Sequence, residues 1–150
     1  PLLEFRHKGA HISSITGEKL SESQVVEAVT AAVRQCGIHL NLFTLTPQWG
    51  EPPGYTLFVQ CDSADCELVD SLLNRFAVVV DEKLAFDNVE YKEKRESGRL
   101  ASVRMQVLPP QQWALFTKAR QSRSGGSLEQ YKHPCLLPDP QFQNLFRATT

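Results

Sequence analysis

The sequence predicts an α+β domain: a small, mostly antiparallel sheet flanked by helices. Short apolar-rich runs bounded by proline and glycine fall at residues 38–45, 55–61 and 102–108, as strands do. Between them lie longer stretches whose apolar residues return every three or four positions, as on helices buried along one face. No repeat and no linker divides the 150 residues, enough chain for a single domain with a real core.

Leu3 to Lys8 reads as a strand ending at Gly9, with His11 to Ile15 as its short antiparallel partner. Ser21 is a good N-cap for the clearest helix, and Gln24 completes a capping box. Leu20 can staple against Val25, and Val25, Val29, Ala32, Val33 and Cys36 form an apolar stripe that Gly37 ends. Residues 38–45 make a strand with Leu40 and Leu42 on one face, followed by a Pro/Gly-rich loop over 47–54. Residues 55–61 form a second strand, antiparallel to the first. Asp62 or Ser63 caps a helix from about Ala64, with Leu68, Leu72, Phe76 and Val79 or Val80 inward, and Leu84 to Phe86 either continue it or pack beneath a turn.

Asn88 starts a short charged helix ending near Ser97-Gly98. Its run from Glu90 to Glu96 is mixed in sign and reads as a solvated face. Residues 102–108 form a third strand with Val103, Met105 and Val107 on one face. Pro110 suits the first turn of a helix through Arg120, with Trp113, Phe116 and Leu115 as its apolar side. Asp139-Pro140 opens a last helix.

Composition narrows the class. The chain is 41% hydrophobic and 22% charged with a net charge of −1, and no basic block gives it the footprint of a nucleic-acid binder. No apolar stretch approaches a membrane span. The chain opens Pro1-Leu2-Leu3 in a strand-like run without an initiator methionine. We therefore expect a piece of a longer protein whose upstream part carries any targeting signal. The expected compartment is intracellular, the cytoplasm first, with the endoplasmic reticulum or nuclear envelope as alternatives.

The four cysteines, Cys36, Cys61, Cys66 and Cys135, form no C-x-x-C pair. Cys36 and Cys61 fall on apolar faces and read as reduced thiols, though disulfide pairing stays open. His7, His11, Cys61 and Cys66 meet no familiar zinc spacing, so no metal site is expected.

Two lysines stand out chemically. Gly17 and Lys19 lie just before the first clear helix, where backbone amides and the macrodipole favour an anion. Lys132 sits in Ser127-Leu-Glu-Gln-Tyr-Lys-His-Pro134, where Pro134 biases the chain towards an extended form. A compact cation presented there can meet a phosphate or carboxylate.

The blocks Phe5-Arg6-x-Lys8-Gly9-x-x-Ile12-Ser13-x-Ile15-x-Gly17-Glu18-Lys19-Leu20, Glu96-Ser97-Gly98-Arg99-Leu100 and Ser127-x-x-Gln130-Tyr131-Lys132-x-Pro134 occur in that order. The arrangement resembles the C-terminal domain of the Gretchen Hagen family of acyl-acid amido synthetases, and within it looks closest to the vertebrate branch. The resemblance covers essentially the whole chain. It implies the lid domain of an adenylate-forming enzyme that activates a carboxylate with ATP and Mg2+ and passes the acyl group to an amino acid. The partners it implies are a large N-terminal domain absent from this chain, a carboxylic acid and an amino acid. Residues 1–20 would form a hinge-proximal hairpin, with Arg6, Lys8 and Gly9 at the hinge. Lys132 would be the catalytic lysine and Lys19 a second one at the phosphates. Gly17, Glu18, Gln130 and Tyr131 would lie against the nucleotide. The chain departs from the family's pattern at Cys135, where arginine is common, and at Ala10-His11, where an acidic residue is frequent. A non-catalytic descendant serving as a binding or scaffold protein is the alternative.

Overall fold

The computed structural model describes residues 12–61, 70–124 and 133–138. The expected strand at residues 3–8, the caps at Asp62 or Ser63, Leu68 and the helix opened by Asp139-Pro140 lie outside the described residues. Two short strands, β1 (Ile12–Ser13) and β2 (Leu20–Ser21), pair antiparallel, Ile12 opposite Ser21. Helix α1 (Glu22–Cys36) follows at once. Ser21 Oγ accepts from the Gln24 amide and the Gln24 side chain accepts from the Ser21 amide, so the capping box read from the sequence is present. Gly37 ends the helix at φ +69, a left-handed turn that a side chain would strain, and its amide bonds the Val33 carbonyl. Val25, Ala28, Val29 and Ala32 are buried, while Val33 and Cys36 pack partly buried beside them.

The main sheet has the order β3 (Leu40–Gln48), β4 (Gly54–Cys61), β5 (Arg104–Val107). β3 and β4 are antiparallel, as expected of two strands joined by a short loop. β5 runs parallel to β4, so the sheet is mixed. A parallel neighbour needs a crossover, and α2 (Asp70–Asp87) with α3 (Val89–Glu96) belongs to it. Helix α4 (Pro110–Ser124) follows β5.

The sheet separates two apolar clusters. On one face Tyr55, Leu57 and Val59 of β4 meet Val25 and Val29 of α1 and Phe76, Val80 and Leu84 of α2, with Val103, Met105 and Val107 alongside. On the other, Phe58 meets Leu108, Trp113, Phe116 and Leu137. The expectation that Leu40 and Leu42 share a face is not met. Leu40 packs into the first cluster and Leu42 into the second, because the register shifts between them and a one-residue bulge reverses the alternation. Leu115 is exposed on α4, and Leu84 to Phe86 continue α2 with Leu84 buried and Phe86 in solvent.

Asn88 caps α3 by accepting from the Tyr91 amide. The run expected to be solvated has one inward residue, Tyr91, fully buried with its hydroxyl on Asp81. Arg95 Nε bonds both Asp81 oxygens at 3.0 Å, and its Nη1 reaches the Leu100 carbonyl at 3.1 Å. That fork ties α3 to α2 and holds the turn leading towards β5.

These local and packing terms should separate in chemical denaturation. Ser21→Ala is expected to cost about 1 kcal/mol through the lost cap. Phe76→Ala should cost about 3–5 kcal/mol through the cavity it leaves.

Candidate functional site

The β1–β2 hairpin closes through a turn that visits the left-handed region twice, at Gly17 (φ +99) and at Lys19 (φ +47). Glycine adopts that region freely, whereas for a lysine it costs on the order of 1 kcal/mol. The compensating interaction is the carboxylate between them. Glu18 has no exposed surface, and both its oxygens are filled by the protein. The Ile15 amide reaches Oε1 at 2.9 Å, and the Thr16 amide and hydroxyl reach Oε2 at 2.8 and 2.6 Å. The Tyr55 hydroxyl donates to Oε1 from β4 and lies 3.0 Å from Ser13 Oγ. Asn88 Nδ2 donates to the Glu18 carbonyl at 2.8 Å, and the Lys19 amide donates to Ser14 Oγ at 3.3 Å.

Burial pushes the Glu18 carboxyl towards protonation. The hydrogen bonds from Thr16, Tyr55 and Ile15 outweigh it and hold the pKa below the ordinary glutamate value of 4.5. Burial and the facing Glu18 charge push the Tyr55 phenol well above its usual range.

The same turn leaves Gly17 and Lys19 exposed. A methyl group on Gly17 would come within 3.8 Å of Lys94 Cε, so a second lysine stem passes this turn. Two lysines beside a bare glycine suit a polyanion, and on these residues a nucleotide phosphate fits. Lys94 was missed in the sequence because it lies in the mixed-sign run.

Of the other expected site residues, Gln130, Tyr131 and Lys132 lie outside the described residues, as do Arg6, Lys8 and Gly9. The segment directly after Lys132 is described, and it runs along the open edge of β3. The Leu45 amide bonds the Cys135 carbonyl at 2.8 Å, the Leu137 amide bonds the Leu45 carbonyl at 2.9 Å, and Leu45 and Leu136 form a parallel bridge. Leu136 enters the first cluster and Leu137 the second. The Cys135 amide donates to Glu22 Oε1 at 2.8 Å across 113 positions of sequence. The 133–138 segment therefore meets the first turn of α1 at Glu22, three residues from Lys19. Burial and the Glu22 charge push the Cys135 thiol up to about 11.

Two surface clefts lie elsewhere. One of about 780 Å³, between α2 and β5, includes Asp81, Arg95 and Arg104. The other, about 230 Å³, includes Trp49, Glu51 and Arg104. Neither is lined by Gly17, Glu18 or Lys19. Among the described residues no group of three or more His, Cys, Asp or Glu side chains could hold a metal ion, and no helix is long and apolar enough to cross a membrane. His7, His11 and Cys66 lie outside the described residues.

The model of the GH3 family C-terminal domain matches residues 23–141. No curated protein matches the chain. Among solved structures, a GH3.15 acyl acid amido synthetase superposes with a TM-score of 0.78 at 21% identity, covering 93% of this chain and 26% of that one. AtGH3.15 acyl acid amido synthetase in complex with 2,4-DB gives 0.74 at 20% identity, covering 91% and 25%. The chain thus spans about a quarter of the length of these structures, and at such identity the likeness shows the fold.

The Glu18 geometry has a definite pH signature. Its folded pKa lies below the unfolded one, so its stabilisation is present above the ordinary value of 4.5 and is lost as pH falls through the folded pKa. The stability gap between the parent protein and Glu18→Gln should be widest near neutral pH and narrow below that value. Tyr55→Phe should cost about 1–3 kcal/mol at neutral pH, because the buried carboxylate loses a donor. Denaturant unfolding across a pH series measures both.

Proposed function

The chain belongs to the GH3 C-terminal domain family, and from that premise we propose that it is the mobile C-terminal domain of an ATP-dependent acyl-acid amido synthetase. The reaction is carboxylate activation followed by amide formation with an amino acid. One observation carries this reading: the turn that presents Lys19 and the segment that follows Lys132 meet at the first turn of α1 through Glu22 and Cys135. The described stretches nearest to the two proposed lysines in sequence are thereby joined by a hydrogen bond.

ATP with Mg2+, when bound, supplies the group that activates the carboxylate. Lys132 holds the approaching carboxylate and a phosphate oxygen together, offsetting the repulsion of two anions and setting their geometry. Lys19 takes the more distal phosphates, with Gly17 leaving room for them and Lys94 adding positive charge. Glu18 contributes by fixing the turn, since both its oxygens are engaged inside the domain. Gln130 and Tyr131 are the proposed contacts on the other side of the nucleotide. Arg6, Lys8 and Gly9 form the hinge to a large N-terminal domain, which carries most of the acyl and amine pockets. Dependence on ATP places the work inside the cell.

A second reading has one observation in its favour. Cys135, whose side chain carries no positive charge at any pH, stands where family members commonly carry arginine. That would suit a descendant that kept the fold as a binding or scaffold protein and lost the chemistry.

The readings part in ATP–pyrophosphate exchange by the full-length protein across a panel of carboxylic acids. Acid-dependent exchange should fall about 100- to 1000-fold in Lys132→Ala. Lys19→Ala should act more on the KM for ATP than on kcat. Exchange indifferent to Lys132→Ala would remove that lysine from the site. No exchange by the folded parent protein with any acid would favour the scaffold.

A further inference from the structure

We propose that His133 is a positioning residue whose imidazole latches the chain immediately after Lys132 to strand β3. The inference rests on the reading of Lys132 as the cation that meets the reacting anions.

The hydrogen bonds fix the tautomer. Nε2 of His133 lies 3.0 Å from the Phe43 carbonyl, which can only accept, so Nε2 carries the proton. It also lies 2.9 Å from Thr44 Oγ1. The Thr44 hydroxyl spends its own proton on the Pro134 carbonyl at 2.7 Å and therefore accepts from His133. One buried threonine thus holds two successive residues of the segment, and the Phe43 carbonyl holds the first again. On the far side the ring is enclosed by α4, with centroids 5.4 Å from Trp113 and 6.0 Å from Phe116. The imidazole is gripped between a strand and a helix.

A histidine in such a place could serve packing alone. The geometry supports more than packing, because the polar bonds run from the residue joined to Lys132 to the backbone and side chain of β3. Without them the first main-chain anchors after Lys132 are the Pro134 carbonyl, held by the Thr44 hydroxyl two residues on, and the Cys135 amide on Glu22. Each added free residue widens the volume a neighbouring ammonium can sample, and a misplacement of about 1 Å is enough to cost about 100-fold in rate.

The test uses the full-length protein in ATP–pyrophosphate exchange together with its unfolding midpoint. His133→Phe keeps a ring between Trp113 and Phe116 but has no donor. It should lower kcat by about 100-fold while leaving the KM for ATP and the midpoint near those of the parent. His133→Gln returns an amide N–H near the Nε2 position and should restore most of the loss. Parent-like kcat in His133→Phe beside an inactive Lys132→Ala would overturn the latch and leave Lys132 in its role. Equal defects in the Phe and Gln variants with lowered midpoints would overturn it in favour of packing. Parent-like exchange in Lys132→Ala would sink the reading of the lysine, and the latch's purpose with it. A readout that needs no turnover is tryptic cleavage after Lys132 in Thr44→Val, whose scissile bond is unchanged. Cleavage should be about tenfold faster than in the parent, and equal rates would overturn the latch.

Discussion

A carboxylate taken out of water is tolerable only when donors replace the water, and the Glu18 side chain imposes that condition on the whole N-terminal side of this domain. Its donors come from its own turn and from β4, while its carbonyl is held by the residue that caps α3. Elements 37 and 70 positions apart in sequence are therefore tied at one residue. The left-handed Lys19 backbone persists because moving it would disturb bonds to a buried charge. A surface lysine on a free hairpin would wander; this one is mounted on a fixed turn.

Strand β3 plays the matching part on the other side. It pairs with β4 along one edge, and the other edge receives the segment ending at Pro138. Because its alternation reverses at the bulge, β3 sends Phe43 and Leu45 to the helix pair and Leu42 to the α4 side. The same reversal puts Thr44, a polar residue without exposed surface, where it meets His133. An unpaired strand edge invites wrong partners, and covering it with the chain's own segment removes that hazard while giving the segment a defined path.

Features governed by near neighbours were legible in the sequence. The Ser21–Gln24 box, the Gly37 stop, the Asn88 cap and the β3–β4 pairing follow from residues a few positions apart. The position of Gly17 and Lys19 just ahead of α1 was legible for the same reason. What depended on distant partners was not. The parallel placement of β5, the bulge that separates Leu40 from Leu42, and the bond from Cys135 to Glu22 have no local signal. Only the resemblance set Glu18 against the nucleotide, and its burial was not legible because Tyr55, on another strand, supplies the phenol that completes it. Lys94 looked like one charge among many until the fold set it beside Gly17.

The contacts at position 135 are made by the peptide unit: its N–H goes to Glu22 and its C=O to Leu45. Any residue that keeps its N–H can supply both, so these two bonds are indifferent to the side chain there, and proline is the one residue barred. Position 135 can therefore exchange arginine for cysteine without losing either bond. The domain holds an evolvable slot beside its proposed working lysine, in which charge can be added or withdrawn while the scaffold stays the same.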